Sequence, residues 1–290
     1  MTGLALGLVL ASAFIHASWN YLLKKSGGGA GLITAACAVS LACYAPLVAA
    51  LLWFQGGSYA FAPVHFALMA GSGFVHMAYF LLLDRAYRSG GDLSIVYPLA
   101  RATGPLLTVV AAILLLGERP GPAAIAGAVL IGVSALVLAG NPFARHRSDS
   151  RHAVGFALLT GCMIAVYTLW DKASVATFLI PPLLYDFGTN AFRVVMLVPY
   201  TRRHTPGAIA RAWRERRGAV VAIALLSPLS YILVLTAMVF TPVSLVAPAR
   251  EVSILFAALM GAHLLREGDL ARRVVAAFGM VLGIAGLALG

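Results

Sequence analysis

The chain has 290 residues, of which 61% are hydrophobic and only 11% charged, and its formal net charge is +11. A soluble domain usually carries about 25% charged residues, so a mean hydropathy of +0.92 places the bulk of the chain in lipid and excludes an ordinary soluble domain. The positive charge is not a nucleic-acid signal, because the basic residues sit mainly in short segments between apolar runs, where they set membrane orientation.

Apolar runs of spanning length, about 20 residues, fall near 3–23, 31–54, 63–84, 93–116, 121–140, 153–171, 179–200, 218–240, 243–265 and 271–289. They are too long and too uniformly apolar for barrel strands, and backbone groups in lipid must pair internally, so each is read as a helix. The first run opens without a basic segment and ends in Trp-Asn-Tyr-Leu-Leu-Lys-Lys without a small-residue cleavage site, which predicts a retained span rather than a signal peptide. Cys37, Cys43 and Cys162 lie inside apolar runs at no disulfide or zinc spacing and read as packing residues.

The basic linker 141–152 divides the chain into 1–140 and 153–290, each with five spans. The halves repeat at an offset near 150: Gly7–Lys24 aligns with Gly155–Lys172, Tyr79 falls near Tyr231, Ser94–Pro98 matches Ser244–Pro248, and Glu118 matches Glu267. An odd number of spans per half makes the second copy enter the membrane from the opposite side. The expected fold is therefore an all-α polytopic membrane protein of ten transmembrane helices. They form two inverted five-helix repeats around a central cavity, the plan of many secondary transporters. Lys and Arg cluster after the odd-numbered spans (Lys24 and Lys25, Arg145 to Arg151, Arg202 to Arg217), whereas the even-numbered connections hold only Arg119 and Lys172. This asymmetry predicts cytoplasmic odd connections and both termini outside.

Ionisable residues deep in a span are costly and mark functional sites by default. Arg101 lies early in span four, and Arg250 and Glu251 lie equally deep in span nine. The arginines are read as cationic groups that face a central cavity and bind an anion, or as members of inter-helix ion pairs, for instance Arg101 with Glu251. Pro98 and Pro248 should kink these two spans. Asp186, Asn190 and Arg193 share one helix face of span seven, either as a stripe on the pathway or as a self-satisfied set in which Asn190 bridges the other two. His16, Trp19 and Asn20 in span one, His76 and Tyr79 in span three, Tyr97, Tyr167 and Tyr231 supply amphipathic side chains suited to a cavity wall or to the membrane interface.

Asp186 and Glu251 are candidates for coupling to protons. Glu118 and Glu267, at span ends, read as helix caps or local pairs. Gly127, Gly132 and Ser134, and Gly279, Gly283 and Gly286, predict close helix contact in lipid, between the repeats or between protomers. No metal-ligand spacing, phosphate loop or nucleophile elbow occurs. The expected partners are the lipid bilayer and a small-molecule metabolite, as a monomer or homodimer, with no cofactor and a proton or other ion gradient as the energy source of any active transport.

With Pro98, Leu-Leu-Leu-Gly-Glu-Arg at 114–119 running into a Gly-rich span, Leu-Leu-Arg-Glu-Gly at 264–268, Ala-Ser-Trp-Asn in span one and Leu-Trp-Asp-Lys at 169–172, essentially the whole chain resembles the EamA-type branch of the drug/metabolite transporter superfamily. The resemblance implies a transporter of the bacterial cytoplasmic (inner) membrane, exporting or exchanging metabolites by alternating access, without fixing the substrate. A weaker likeness is to members found with phosphonate utilisation. Many bacterial members keep both termini inside and carry their basic cluster after span two; here the cluster follows span seven. The arginines favour an anionic or zwitterionic cargo. Multidrug or lipid-linked substrate efflux, a membrane-embedded transferase and a non-transporting sensor are the alternatives.

Overall fold

The computed structural model describes residues 1–56, 59–88, 93–139, 150–265 and 270–290, except for the side chains of 84, 87, 88, 93–98, 138, 139, 150, 151, 153, 258, 261–265, 270, 272 and 273. Among these residues there are eleven helices and no strand: α1 (Gly3–Lys25), α2 (Ala30–Phe54), α3 (Pro63–Arg88), α4 (Leu93–Leu116), α5 (Pro122–Ala139), α6 (Ser150–Ala176), α7 (Pro182–His204), α8 (Ala208–Phe240), α9 (Val243–Arg250), α10 (Val252–Leu265) and α11 (Leu270–Leu289). Proline opens α3, α5 and α7, where its missing N–H costs nothing. Six helices, α1, α2, α3, α4, α6 and α8, contain stretches long and apolar enough to cross a membrane, and α5 and α11 carry shorter apolar stretches. Large apolar side chains such as Leu114, Leu115, Val275 and Phe278 cover the outside of the bundle, the surface a lipid solvent favours. The architecture is that of a multi-pass helical membrane protein.

Each expected run lies on a helix, with two differences. The run at 243–265 is two helices, α9 and α10, parted at Glu251, three residues after Pro248. There the chain tightens to i→i−3 bonds, the Glu251 N–H reaching the Pro248 carbonyl at 3.0 Å and the Ile254 N–H reaching that of Glu251 at 2.9 Å. The Arg-rich stretch 201–218, expected as a connection, is mostly helical. Gly207, at φ +75°, reverses the chain between α7 and α8, and the backbone leaves helical geometry once more at Arg216 (φ −137°, ψ 29°). The turns before that break bury Ala212 against Leu32 and Ala35 of α2. Their arginines point outward, which is why charge alone made the segment read as a loop.

The small-residue stripes meet within the chain. A Cβ on Gly127 would sit 2.5 Å from the Gly283 carbonyl oxygen, and one on Gly286 would sit 2.7 Å from that of Ala123. α5 and α11 therefore pack backbone to backbone. Elsewhere α1 packs on α8 and α10, α3 on α6 and α7, α2 on α7 and α8, and α4 on α6 and α9.

The bundle has two unlike ends. At one, the Met1 amino group donates to the Ala288 carbonyl at 3.3 Å, and Gly290 lies against Ala124. At the other, the Arg216 guanidinium donates to the Ser26 carbonyl, and Lys24, Lys25, Arg202, Arg203, Arg211, Arg214 and Arg217 lie on or beside the same connections. The second is the basic end.

Candidate functional site: a central polar cavity

A cavity of about 300 Å³ lies between α1, α2, α3, α6, α7 and α8, with Arg101 of α4 and Arg250 of α9 at its deep end. α1 contributes His16, Trp19 and Asn20, α3 His76 and Tyr79, and α7 Asp186, Asn190 and Arg193. Tyr167 and Tyr231 face it from α6 and α8. Thus twelve of the fourteen candidate residues line one wall system. Glu251 sits behind the wall, paired with Arg101, and Tyr97 falls outside the described side chains, as do Pro98 and Glu267. At its deep end the cavity adjoins a recess of about 10 Å³ bounded by Ser12, Arg101, Ser230, Arg250 and Ser253, about the size that holds one water.

The walls run toward the basic end. Along α1 they extend from His16 to Leu23, along α3 from His76 to Leu83, along α7 from Asp186 to Leu197, and on α8 from Tyr231 back to Ile223. Toward the opposite end the helices are joined by charged side chains. Gly117, at φ +67°, ends α4 in the left-handed region glycine favours, with the Glu118 N–H bonded to the Ala112 carbonyl at 3.2 Å. This turn aims the Glu118 carboxylate at the start of α9, where it accepts from the N–H groups of Val243 (2.8 Å) and Ser244 (2.9 Å). Glu118 is indeed a cap, but of a helix in the other half of the chain rather than of the helix that follows it. Nearby, the Lys172 ammonium donates to the carbonyls of Met238 (2.6 Å) and Thr241 (3.1 Å) and closes the C-terminus of α8.

The three cavity arginines are held differently. Arg101 Nε lies 3.0 Å from Glu251 Oε2, and its Nη2 donates to Ser253 Oγ at 3.0 Å. Arg193 donates to Asn190 Oδ1 at 3.0 Å, while Asn190 donates in turn to the Cys37 carbonyl (3.0 Å) and Ser40 Oγ (2.7 Å) of α2. Asn190 therefore ties Arg193 to α2 instead of bridging it to Asp186. Arg250 lies over the ring of Tyr231, 5.4 Å from its centroid, and has no ion pair among the described residues. A guanidinium held by an aromatic face is held by about 0.5–2 kcal/mol. Withdrawing Arg101 from Glu251 would strand a buried carboxylate, which costs about 3–5 kcal/mol. Arg250 is the cation an incoming anion can engage at least cost.

Other donors also lack acceptors. Trp19 Nε1 and Arg193 Nε are buried without a hydrogen-bond partner among the described residues, and both side chains line the cavity. One acceptor matches them: the Asp186 carboxylate makes no hydrogen bond or ion pair among the described residues. Aromatic rings pave the space between, with His76 stacked on Tyr167 at 4.2 Å and edge-on to Tyr231 at 5.8 Å.

Asp171 was missed as a site residue. It is 0% exposed and accepts from Ser72 Oγ at 2.7 Å, from the Tyr185 hydroxyl at 2.6 Å and from the Tyr231 hydroxyl. Three hydroxyls from α3, α7 and α8 so satisfy an acid on α6. The available signal was an acidic residue inside Leu-Trp-Asp-Lys, at the edge of an apolar run.

No family model matches the chain, and no curated protein does. A solved structure described as "Crystal structure of protein" is similar over 98% of this chain and 98% of its own, with a TM-score of 0.76 at 18% identity. The likeness extends to the fold alone.

Proposed function

We propose that the chain is a secondary transporter, an exporter or exchanger, of a small polar metabolite that is anionic or zwitterionic, working by alternating access in the bacterial cytoplasmic membrane. The observation that carries this reading is the surplus of donors on the cavity wall: among the described residues Arg250 has no ion pair, and Trp19 Nε1 and Arg193 Nε have no hydrogen-bond partner. A buried donor left unmade is costly, so the wall favours an occupant rich in acceptors. Asp186, which makes no hydrogen bond or ion pair among the described residues, gives a zwitterion a place for its cationic end. Asp186 is also the better placed of the two candidates for proton coupling, since Glu251 is occupied by Arg101.

The proposal includes the EamA-type plan of ten spans in two inverted five-helix halves, 1–140 and 153–290, joined by the linker 141–152. The packing partners support it. Exchanging α1, α2, α3, α4 and α5 for α6, α7, α8, α9–α10 and α11 turns the α1–α8 contact into α6–α3, α2–α8 into α7–α3, and α1–α10 into α6–α4, and returns α2–α7 and α5–α11 to themselves. A cavity that reaches only one end is what one state of an alternating-access cycle requires. With the basic end in the cytoplasm, this is the inward-facing state.

The test is a stabilisation screen of purified protein against anionic and zwitterionic metabolites, followed by uptake of the hits into liposomes with and without a pH gradient. Stabilisation by a hit that is then transported supports the proposal; hits that are all cationic, or that bind and never cross, overturn it.

A further inference from the structure

The reading above leaves open which cavity group receives the anion and what holds that group ready. Resting on that reading, we infer that Arg250 is the anion-receiving residue and that Asp171, which does not line the cavity, is its positioning residue, acting through Tyr231.

The chain of contacts is short. Asp171 accepts from the Tyr231 hydroxyl on one carboxylate oxygen and from Ser72 and Tyr185 on the other. The carboxylate thus accepts from three hydroxyls, and no cation pairs with it among the described residues. Its bond anchors the far end of the Tyr231 side chain, His76 stands edge-on to the ring, and that ring is the surface on which the Arg250 guanidinium rests. A phenol that donates to a carboxylate is also richer in electron density on its face, which strengthens the attraction to a cation above it. The arrangement keeps Arg250 in place without neutralising it. A direct Arg250–carboxylate pair would hold the guanidinium as well but would compete with the anion. The contrast with Arg101, neutralised by Glu251 one residue from Arg250, shows the alternative in the same structure. The ligand class is a carboxylate, phosphate or phosphonate group, since each offers an anionic oxygen pair to a guanidinium fork.

The test uses the full purified chain and needs no transport. Phenylglyoxal modification of Arg250 and Arg101 is followed by peptide mass spectrometry while inorganic phosphate, or separately acetate, is raised at constant ionic strength. Arg250 should react at least about 10-fold faster than Arg101, and at least one of the two anions should protect it. In Asp171→Asn and in Tyr231→Phe, the concentration giving half-protection should rise about 3- to 10-fold. The double variant should show no further rise, because both changes break one link. Ser72→Ala, which removes a different donor to the same acid, should stay within about 2-fold of the unaltered chain.

Equal reactivity of the two arginines, or failure of both anions to protect Arg250, overturns the assignment of Arg250. A Tyr231→Phe variant with unaltered half-protection overturns the role of Asp171, and this holds even if Asp171→Asn does not fold. A chain that shows the expected protection yet moves nothing across liposomes refutes the transport proposal and leaves this one standing.

Discussion

Arg101 and Glu251 come from opposite halves of the chain and meet as a buried ion pair at 3.0 Å, at the point where α9 gives way to α10. Removing either partner strands the other. Arg101→Ala and Glu251→Ala should each lose about 3–5 kcal/mol of stability. The double variant Arg101→Met with Glu251→Met should recover most of it, because apolar replacements of similar volume are often neutral. Thermal unfolding of the three variants in one detergent tests this; a double variant as unstable as the worse single one refutes it.

Arg250→Ala should behave differently. Besides its contact with Tyr231 it feels the Glu251 carboxylate, which it shares with Arg101, but it forms no ion pair among the described residues, so the stability loss should stay within about 2 kcal/mol while uptake into liposomes falls to background. Stability and uptake measured on the same preparation separate the two effects. Full uptake by this variant would remove the anion site from the cavity's deep end.

Glu118→Ala deletes both acceptors at the start of α9, and the expected loss is about 0.5–2 kcal/mol, as for other N-terminal caps. Because the cap joins the halves at the end away from the cavity, the same variant should open that end more often. A cysteine introduced at Val234, a wall residue of the deep recess, should then be labelled faster from that side than in the unaltered background. Unchanged labelling together with unchanged stability would show that the cap carries neither role.

Gly127→Ala should be far more damaging than Gly132→Ala. The first places a methyl 2.5 Å from the Gly283 carbonyl, backbone against backbone, whereas the second meets only a Leu106 side-chain carbon at 3.4 Å. About 1–3 kcal/mol is expected for the first and under about 1 kcal/mol for the second, read as melting-temperature shifts.

Orientation and access can be read with Cys37, which lines the cavity. With Cys43 and Cys162 changed to Ser, a charged thiol reagent should label Cys37 from the cytoplasmic side. Reporter fusions after Gly290 and within 205–207 should lie on opposite sides, the latter cytoplasmic. A cytoplasmic reporter after Gly290 overturns the orientation.

The helices were legible in the sequence because lipid leaves the backbone few options. An apolar run of about 20 residues becomes a helix whatever surrounds it. The candidate residues were legible for a related reason. Arg101, Arg193, Arg250 and Asp186 stand where lipid would penalise them, so a shared polar interior was the available refuge, and the cavity collects them. Some of the glycine pattern was legible too, since close approach in lipid needs small residues.

Partnership was legible only as one of two alternatives for Arg101 and Glu251, which do pair, and not elsewhere. Spacing along α7 put Asn190 between Asp186 and Arg193, but Ser40 and the Cys37 carbonyl on α2 claim its amide, because a helix face has no means of encoding which neighbour arrives. Glu118 could be read as a cap, but not as the cap of α9, and the Asp171 carboxylate could be noticed but not given partners, since its three hydroxyl donors come from α3, α7 and α8. Composition and periodicity thus determined that this chain is a membrane-embedded helical bundle with a charged interior, because solvent transfer acts on each segment separately. Only the tertiary structure decided that Arg101 is neutralised by Glu251 while Arg250 rests on Tyr231, because hydrogen bonds and ion pairs act over about 3–4 Å, a distance set by how the helices pack.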